Sequence, residues 1–512
     1  MSQMARWVSY ARGLLPRSLA SSPLLPPPQT RREDVQGLLV YGYKHMAVAS
    51  FLVLKVREAG PCRAWLREIL KEELTTAEES PREELERRTA CLNLAFTWRG
   101  LRALGLDEDS LQTFPYEFRR GMAERAHVLG DAGASAPEHW DFGGKRPDAP
   151  PAQDVHVLLM LYARDEERLR AVLADQRARL AAGFEELYCQ HAAHLREEKD
   201  GQVYFREHFG FRDAISQPVI RGFMESKHLP EDYDQPVAPG EFILGHENEY
   251  GEKPDSPSVP ASRDPQGRLG PAEEADRRDL GLNGTYLVLR KLSQDVPAFE
   301  RFIEEHQGLA DAGCADDVKR KEWLKAKLVG RWPNGAPLEP GQHEAPEPGP
   351  QGPSNTFGFA RTDGAGLGCP VTSHVRRANP RDTVAAEPEQ SLNMGRRHRL
   401  LRRGIAYGPR YQGGEAPTER GLLFIALNAH LGRQYEFIQQ SWLNAEKAGR
   451  LYDERDPVAS NLDTGMMTLP MKPMRRCVTG IQSFVTLKGG GYFFLPGVKA
   501  LEYLAHLEPS EG

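Results

Sequence analysis

Strands and helices follow one another in the same order in both halves of this chain, and that repetition restricts the fold more than any single residue does. In the first half VASFLVLKV (48–56) is a β-rich run followed by the amphipathic CRAWLREILKEEL. DVHVLLMLYA (154–163) is another strand, followed by a long helical pattern, DEERLRAVLADQRARLAAGFEELY. The second half repeats this with GTYLVLRKL (284–292) and VPAFERFIEEH, then GLLFIALNA (421–429) and RQYEFIQQSWLNAEKA. Strands alternating with helices around short sheets predict an α+β protein of two ferredoxin-like domains, antiparallel sheets covered by helices. The repetition is of pattern and not of residue identity. At 512 residues the chain also exceeds what one hydrophobic core usually serves. The domains are expected at 33–222 and 281–507. Between them, 223–280 reads as linker and loop, because 252–279 is dense in proline, glycine and charge. A second such stretch, PNGAPLEPGQHEAPEPGPQGP, begins at Pro333.

Composition narrows the function classes. With 40% hydrophobic and 27% charged residues the chain has the balance of a soluble globular protein. A net charge of -6 with mixed signs leaves no footprint for nucleic acid or an anionic membrane. SFLVLKV and HVLLMLYA fall far short of the roughly 20 apolar residues of a membrane span. Six cysteines lie scattered without CxxC spacing, which argues against zinc and iron–sulphur sites and for a reduced, cytoplasmic protein. Cys91 in ACLNLAF and Cys189 in ELYCQ sit in apolar helical patterns as small buried hydrophobes. Residues 1–32 lack a continuous apolar core and are broken by Pro16, Arg17, Pro23 and Pro26–Pro28, so a disordered extension is expected rather than a secretory signal.

Three segments carry the chemistry. FREHFGFRDAISQPVIRGF (205–223) places Asp213 three residues after Gly210 and before Ala214, in an apolar and aromatic surround where a carboxylate is costly to bury. CPVTSHVRRANPRD offers His374 among Arg376, Arg377 and Arg381. An imidazole in such company is a poor base, because its cation is disfavoured, and a good neutral metal ligand. RRHRLLRRGIAYGPRY carries Arg402–Arg403, whose side chains point to opposite faces of an extended segment.

The first segment closely resembles the GxxDG signature of dye-decolourising-type haem peroxidases, with Ala214 where that family usually has glycine. The second resembles the family's proximal HxRxxNPR run, and the third its RRG run. EDVQGLLVYGYKHMA, LNLAFTWRGLRALGL, GEFILGHENEYG, KLVGRWPNG and GGGYFFLPG extend the likeness, in the family's longer branch, from about Glu33 to about Tyr503. The resemblance implies one haem b per chain in the C-terminal domain, with His374 as iron ligand. Arg376 and Asn379 of the same run would bind the cofactor, the arginines pairing its propionates. Asp213 would handle the protons of hydrogen peroxide and Arg402 would be the distal cation. It also implies one-electron oxidation of organic donors such as dyes and phenols, best in acid, with Tyr407 and Trp442 as possible electron relays. Homo-oligomers are common on this fold, which is analogy only.

His398 competes for the iron but lies only four residues before Arg402. Leu422 and Phe424 share one strand face, as cofactor-pocket wall or as plain core. Glu436 is either a hydrogen-bond partner of His374 or a solvated helix carboxylate. A haem-handling protein with little turnover is the alternative function, and a ferredoxin-like module without haem a third. A methyl at 214 narrows the space beside Asp213. Ala214→Gly is therefore expected to leave the reaction with peroxide equal or faster in stopped-flow mixing; a slower reaction would show that the methyl has a use.

Overall fold

The computed structural model describes residues 32–78, 87–199, 201–213, 215–223, 236–347, 352–414, 418–447, 451–461 and 464–508. Sixteen strands follow one another among the described residues. The first half supplies β1 (Val48–Val56), β2 (Ala90–Phe96), β3 (Val157–Ala163), β4 (Phe184–Ala193), β5 (Leu195–Lys199) and β6 (Gln202–Arg206). Then come β7 (Ser258–Pro260), β8 (Gly270–Pro271) and β9 (Arg277–Asp279). The second half supplies β10 (Thr285–Gln294), β11 (Leu401–Arg402), β12 (Ile405–Tyr407), β13 (Gly421–Asn428), β14 (Gly465–Leu469), β15 (Arg476–Ile481) and β16 (Val485–Leu495).

Strands of both halves lie in one nine-stranded antiparallel sheet, ordered β11-β13-β10-β16-β2-β3-β1-β4, with β12 also on β13. Backbone pairing crosses from one half to the other at Phe494 and Phe96. β4 also approaches β12. There Lys291 Nζ sits 5.4 Å from the ring of Tyr188 on β4 and 5.4 Å from that of Tyr407 on β12. Asp141 at 2.7 Å and Glu419 at 2.8 Å neutralise this buried ammonium.

The alternation of side chains explains why these strands read as unbroken apolar runs. Leu52, Leu159 and Leu161 point to one face, where α1 (Ala59–Glu72) and α2 (Glu166–Leu180) supply Trp65, Leu169 and Leu173. Phe51, Val53, Leu158 and Met160 point to the other and join Leu287, Leu289, Leu423 and Ile425 of the second half. Both faces are covered, so polar positions are few. A third cluster gathers Phe299 of α3 (Val296–His306), Trp323 of α4 (Asp317–Val329), Trp332 and the hairpin residue Met467. Phe209 and Phe211 of the glycine–aspartate segment are embedded in it. Asp165, Asp295 and Asp316 cap α2, α3 and α4 by accepting backbone N–H bonds from Arg168, Ala298 and Lys319.

Several sequence expectations give way to the sheet. Cys91 and Cys189 lie on β2 and β4, not on helices. The long helix ends at Leu180, and 184–193 leaves it to pair with β1. Within 252–279, β7, β9 and β8 form a small sheet. The RQYEFIQQSWL pattern is wound as two π-type stretches, 432–436 and 438–443. No helix among the described residues is long and apolar enough to cross a membrane. The N-terminal extension lies outside the described residues.

Arg290 on β10 donates to Asp131 and, at 2.8 Å, to the Tyr435 hydroxyl, and the ion pair is buried on both sides. Arg290→Met strands a buried carboxylate and should cost about 3–5 kcal/mol in urea unfolding. Removing Asp131 as well (Asp131→Leu with Arg290→Met) should recover part of that loss; full additivity would mean the charges do not interact.

Candidate active site

The segment around Asp213 is shaped by its own carboxylate frame. Glu207 accepts N–H bonds from Phe209 at 2.9 Å and Phe211 at 2.8 Å, and a third from Gln294 Nε2 at 2.7 Å. Burial pushes its pKa up and these donors oppose the rise. Gly210 turns the chain at φ 92°, a conformation few other residues adopt. Asp213 N–H then donates to Phe205 O at 2.8 Å, which sets the aspartate at the end of β6. The aspartate is exposed and not buried as its neighbours suggested: its side chain opens onto a cavity.

Arg402, Leu422 and Phe424 line the same cavity. Arg402 is fixed to the aspartate segment by two bonds, its N–H to Gln217 Oε1 at 3.0 Å and its Nη2 to Ser216 O at 2.6 Å. Burial lowers its pKa and the Asp213 charge works against that. Arg403 turns the other way at its guanidinium, donating to the carbonyls of Leu38 at 2.8 Å and Leu39 at 2.9 Å. It thereby caps the last turn of the short helix Gly37–Val40. Leu422 and Phe424 are half-buried and line the cavity, and Phe424 also packs against the hydrophobic core.

His374 opens the one-turn helix α5 (His374–Ala378). Its Nδ1–H donates to Asp456 Oδ2 at 2.9 Å. Asp456 is fully buried, and its Oδ1 accepts N–H bonds from Val458 at 2.8 Å and Ala459 at 2.7 Å. Burial presses the His374 pKa down, but the adjacent carboxylate outweighs it and the net shift is upward. Asp456 moves the opposite way, held down by His374 against its own burial. His374 keeps 33% of its side chain exposed, and with Nδ1 engaged the ring presents Nε2. It also senses the charges of Arg402 and Glu207. A neutral nitrogen fixed from behind by a carboxylate is the donor that haem iron requires, so these residues fit the cofactor.

Other expected site residues are spent elsewhere. Arg376 donates to the carbonyls of Asp363 at 2.9 Å and Cys369 at 2.8 Å and lies over the Phe359 ring. It is 4% exposed and holds the loop together, so it is not free to pair a cofactor. Arg377 and Arg381 likewise donate to backbone carbonyls. Asn379 is the half-buried C-cap of α5, and it, like His374, is not among the residues that line this cavity. His398 stacks on Phe437 and bonds Arg433 O at 2.6 Å. Glu436 pairs with Arg125 and accepts from the Tyr492 hydroxyl at 3.0 Å, so the partner of His374 is Asp456 instead. Tyr407 is buried; Trp442 packs edge-on against His398 and Phe437. Ala214 lies outside the described residues.

The first-half segment matches the DyP dimeric alpha+beta barrel domain over residues 34–196. A dye-decolorizing peroxidase of Mycena epipterygia is 26% identical over 511 residues, covering 92% of this chain and 86% of the relative. The chain is thus similar to dye-decolourising peroxidases over most of its length. The multifunctional dye peroxidase DyP2 of Amycolatopsis sp. is 33% identical over 325 residues, 58% of this chain and 61% of that protein. Among solved structures, a dye-decolorizing peroxidase in complex with 2,6-dimethoxyphenol shares the fold, with TM-score 0.74 and 24% identity over 93% of this chain and 99% of that one.

Sequence reading missed Asp456, 82 residues beyond His374, and also His194, which no motif marks. His194 lines the cavity against Phe205, ring centroids 4.8 Å apart. Its pKa is lowered to about 4 by burial, which Lys44 and Arg196 reinforce and Asp213 opposes. A histidine whose folded pKa lies below its ordinary 6.5 costs stability as pH falls through that interval and nothing above it. Between pH 7 and pH 4.5 the wild type should therefore lose more stability in urea than His194→Gln; equal losses would place the acid sensitivity elsewhere.

Proposed function

We propose that this chain is a dye-decolourising-type peroxidase that reduces hydrogen peroxide at a haem b carried by His374, with Asp213 as proton carrier and Arg402 as the cation beside it. The observation that carries this assignment is the convergence of Asp213, Arg402, Leu422 and Phe424 on one cavity, with His374 braced by Asp456 within electrostatic reach of Arg402. When bound, haem would hold the two oxidising equivalents that peroxide delivers until organic donors discharge them. The chain's residues do the rest. His374 offers Nε2, because its fixed Nδ1–H bond to Asp456 holds the tautomer that leaves the lone pair there and makes that nitrogen a stronger donor. An Asp213 oxygen takes the proton of one peroxide oxygen and returns it to the other, so that water leaves. The Arg402 guanidinium faces the negative charge that develops as the O–O bond breaks. Leu422 and Phe424 limit water on that side. In balance, one peroxide and two donor molecules AH give two waters and two radicals A•. Phenols and dyes are the donor class, in keeping with the names of the relatives and the phenol in the structural neighbour. Asp213 in an open cavity suits proton exchange with solvent between turnovers.

Four substitutions test the assignment. His374→Ala should fold yet lose stable histidine-ligated haem; a full complement in this variant, absent from His398→Ala, would move the iron ligand. Arg402→Leu should keep haem and slow the peroxide reaction about 10²- to 10³-fold, as loss of a preorganised charge does. Asp213→Asn should slow it at every pH, because an amide cannot shuttle the proton. Wild-type rates of peroxide reaction in both variants, read by stopped-flow absorbance, would remove the two residues from the chemistry.

A further inference from the structure

A second carboxylate is buried on the His374 side, two residues before Asp456. Glu454 is 3% exposed. Its Oε2 accepts from the Thr372 hydroxyl and, at 2.9 Å, from Thr468 N–H; its Oε1 accepts from the Thr468 hydroxyl at 2.6 Å. Thr372 and Ser373 are fully buried and lead directly into His374. Thr468 lies on β14. The Glu454 carbonyl accepts from Arg377 Nη1 at 3.0 Å, and Arg377 belongs to the same turn as His374. One residue therefore binds the turn that ends in His374, the loop that delivers Asp456 and the hairpin behind both.

The charge of this residue is harder to account for than its contacts. Among the described residues no lysine or arginine side chain forms an ion pair with Glu454, and its partners are hydroxyls and one amide. A clamp of that kind needs only acceptors, and a buried carboxylate without a paired cation is a costly way to supply them. Arg377 is the nearby buried cation, and it senses both Asp456 and Glu454, but its donors go to the carbonyls of Trp442, Ala445 and Glu454. Two carboxylates thus face one guanidinium behind the imidazole.

We propose that Glu454 is a positioning residue for the His374–Asp456 pair, holding both in one frame and adding its negative charge behind the ring. The proposal rests on His374 as the iron ligand. With the frame intact, the 2.9 Å bond from Nδ1–H keeps the imidazole electron-rich. With Glu454 neutralised or released, that bond loosens and the imidazole becomes a weaker donor to iron.

The test uses the full-length, haem-loaded protein with Glu454→Gln, Thr468→Val and Thr372→Val, and Asp456→Asn as reference. Three quantities are read: the iron–imidazole stretching frequency of the ferrous protein, the reduction potential, and the rate of haem loss to excess apomyoglobin. Glu454→Gln should lower the stretching frequency in the direction of Asp456→Asn, raise the potential, and speed haem loss about tenfold, the lower end of what outer partners of a metal ligand contribute. Thr468→Val keeps the charge and should lower the frequency with less change in potential. If Glu454→Gln does not fold, the two threonine variants read the same frame. Wild-type frequency and potential in the Glu454 and threonine variants, with Asp456→Asn shifted, would reduce Glu454 to a structural clamp and overturn the proposal. No shift even in Asp456→Asn would instead overturn His374 as the ligand.

Discussion

The apolar layer shared by the two halves is what the rest of the molecule depends on. Phe51, Val53, Leu158 and Met160 of the first half meet Leu287, Leu289, Leu423 and Ile425 of the second in a single cluster. Neither half could leave that face in water, since burying each such side chain contributes about 1.5–3 kcal/mol. The shared layer fixes β13 against the first-half strands and thereby fixes β11, which pairs with β13 through Arg402 and Ala426. The segment from 205 to 217 is tied in turn to the second half by Gln294, by Arg402 and by the third cluster. The cavity is thus set by packing remote from it, which is how a site of polar side chains acquires a definite geometry.

Arginine use separates the site from its supports. Arg376, Arg377, Arg381 and Arg403 are all buried or partly buried, and each directs its guanidinium at backbone carbonyls that no helix or strand satisfies. Five donors in a planar fork suit that task, and the long irregular loops of the second half create the need for it. Arg402 differs: its guanidinium donates to the Ser216 carbonyl and lies within the field of the Asp213 carboxylate.

This division marks where sequence reading succeeds and where it stops. The strands β1, β3, β10 and β13 were legible because both their faces are buried and their apolar runs are unbroken. The meeting of Asp213, Arg402, Leu422 and Phe424 was legible from motif resemblance and strand alternation. Arg376 was misassigned because proximity to His374 in sequence gives a charge but not the destination of its donors. Asp456 gave no signal, since its role depends on a loop closing over 82 residues. ACLNLAF and ELYCQ of β2 and β4 have no period that opposes a helix, and only the sheet positions beside β3 and β1 decide for strand. The strands β7 to β9 are two or three residues long and rich in turn formers, below what periodicity can register.

The charges around the site are sorted by side. Lys44, Arg402 and Arg403 line the cavity with Asp213, while His194 there is pressed toward its neutral form. Asp456 and Glu454 are buried beside His374 and both act on Arg377, while Arg376 of the same turn pairs with Asp363. Cations outnumber carboxylates along the cavity, whereas arginines and carboxylates are paired around His374. Charges buried in this way are weakly screened, so each set acts on the groups beside it. The two sets depend on different segments, 454–456 and 402–403, so substitution in one does not disturb the contacts of the other. The contacts that brace His374 and those that fix Arg402 are therefore separable features of this fold, set by residues that do not touch one another.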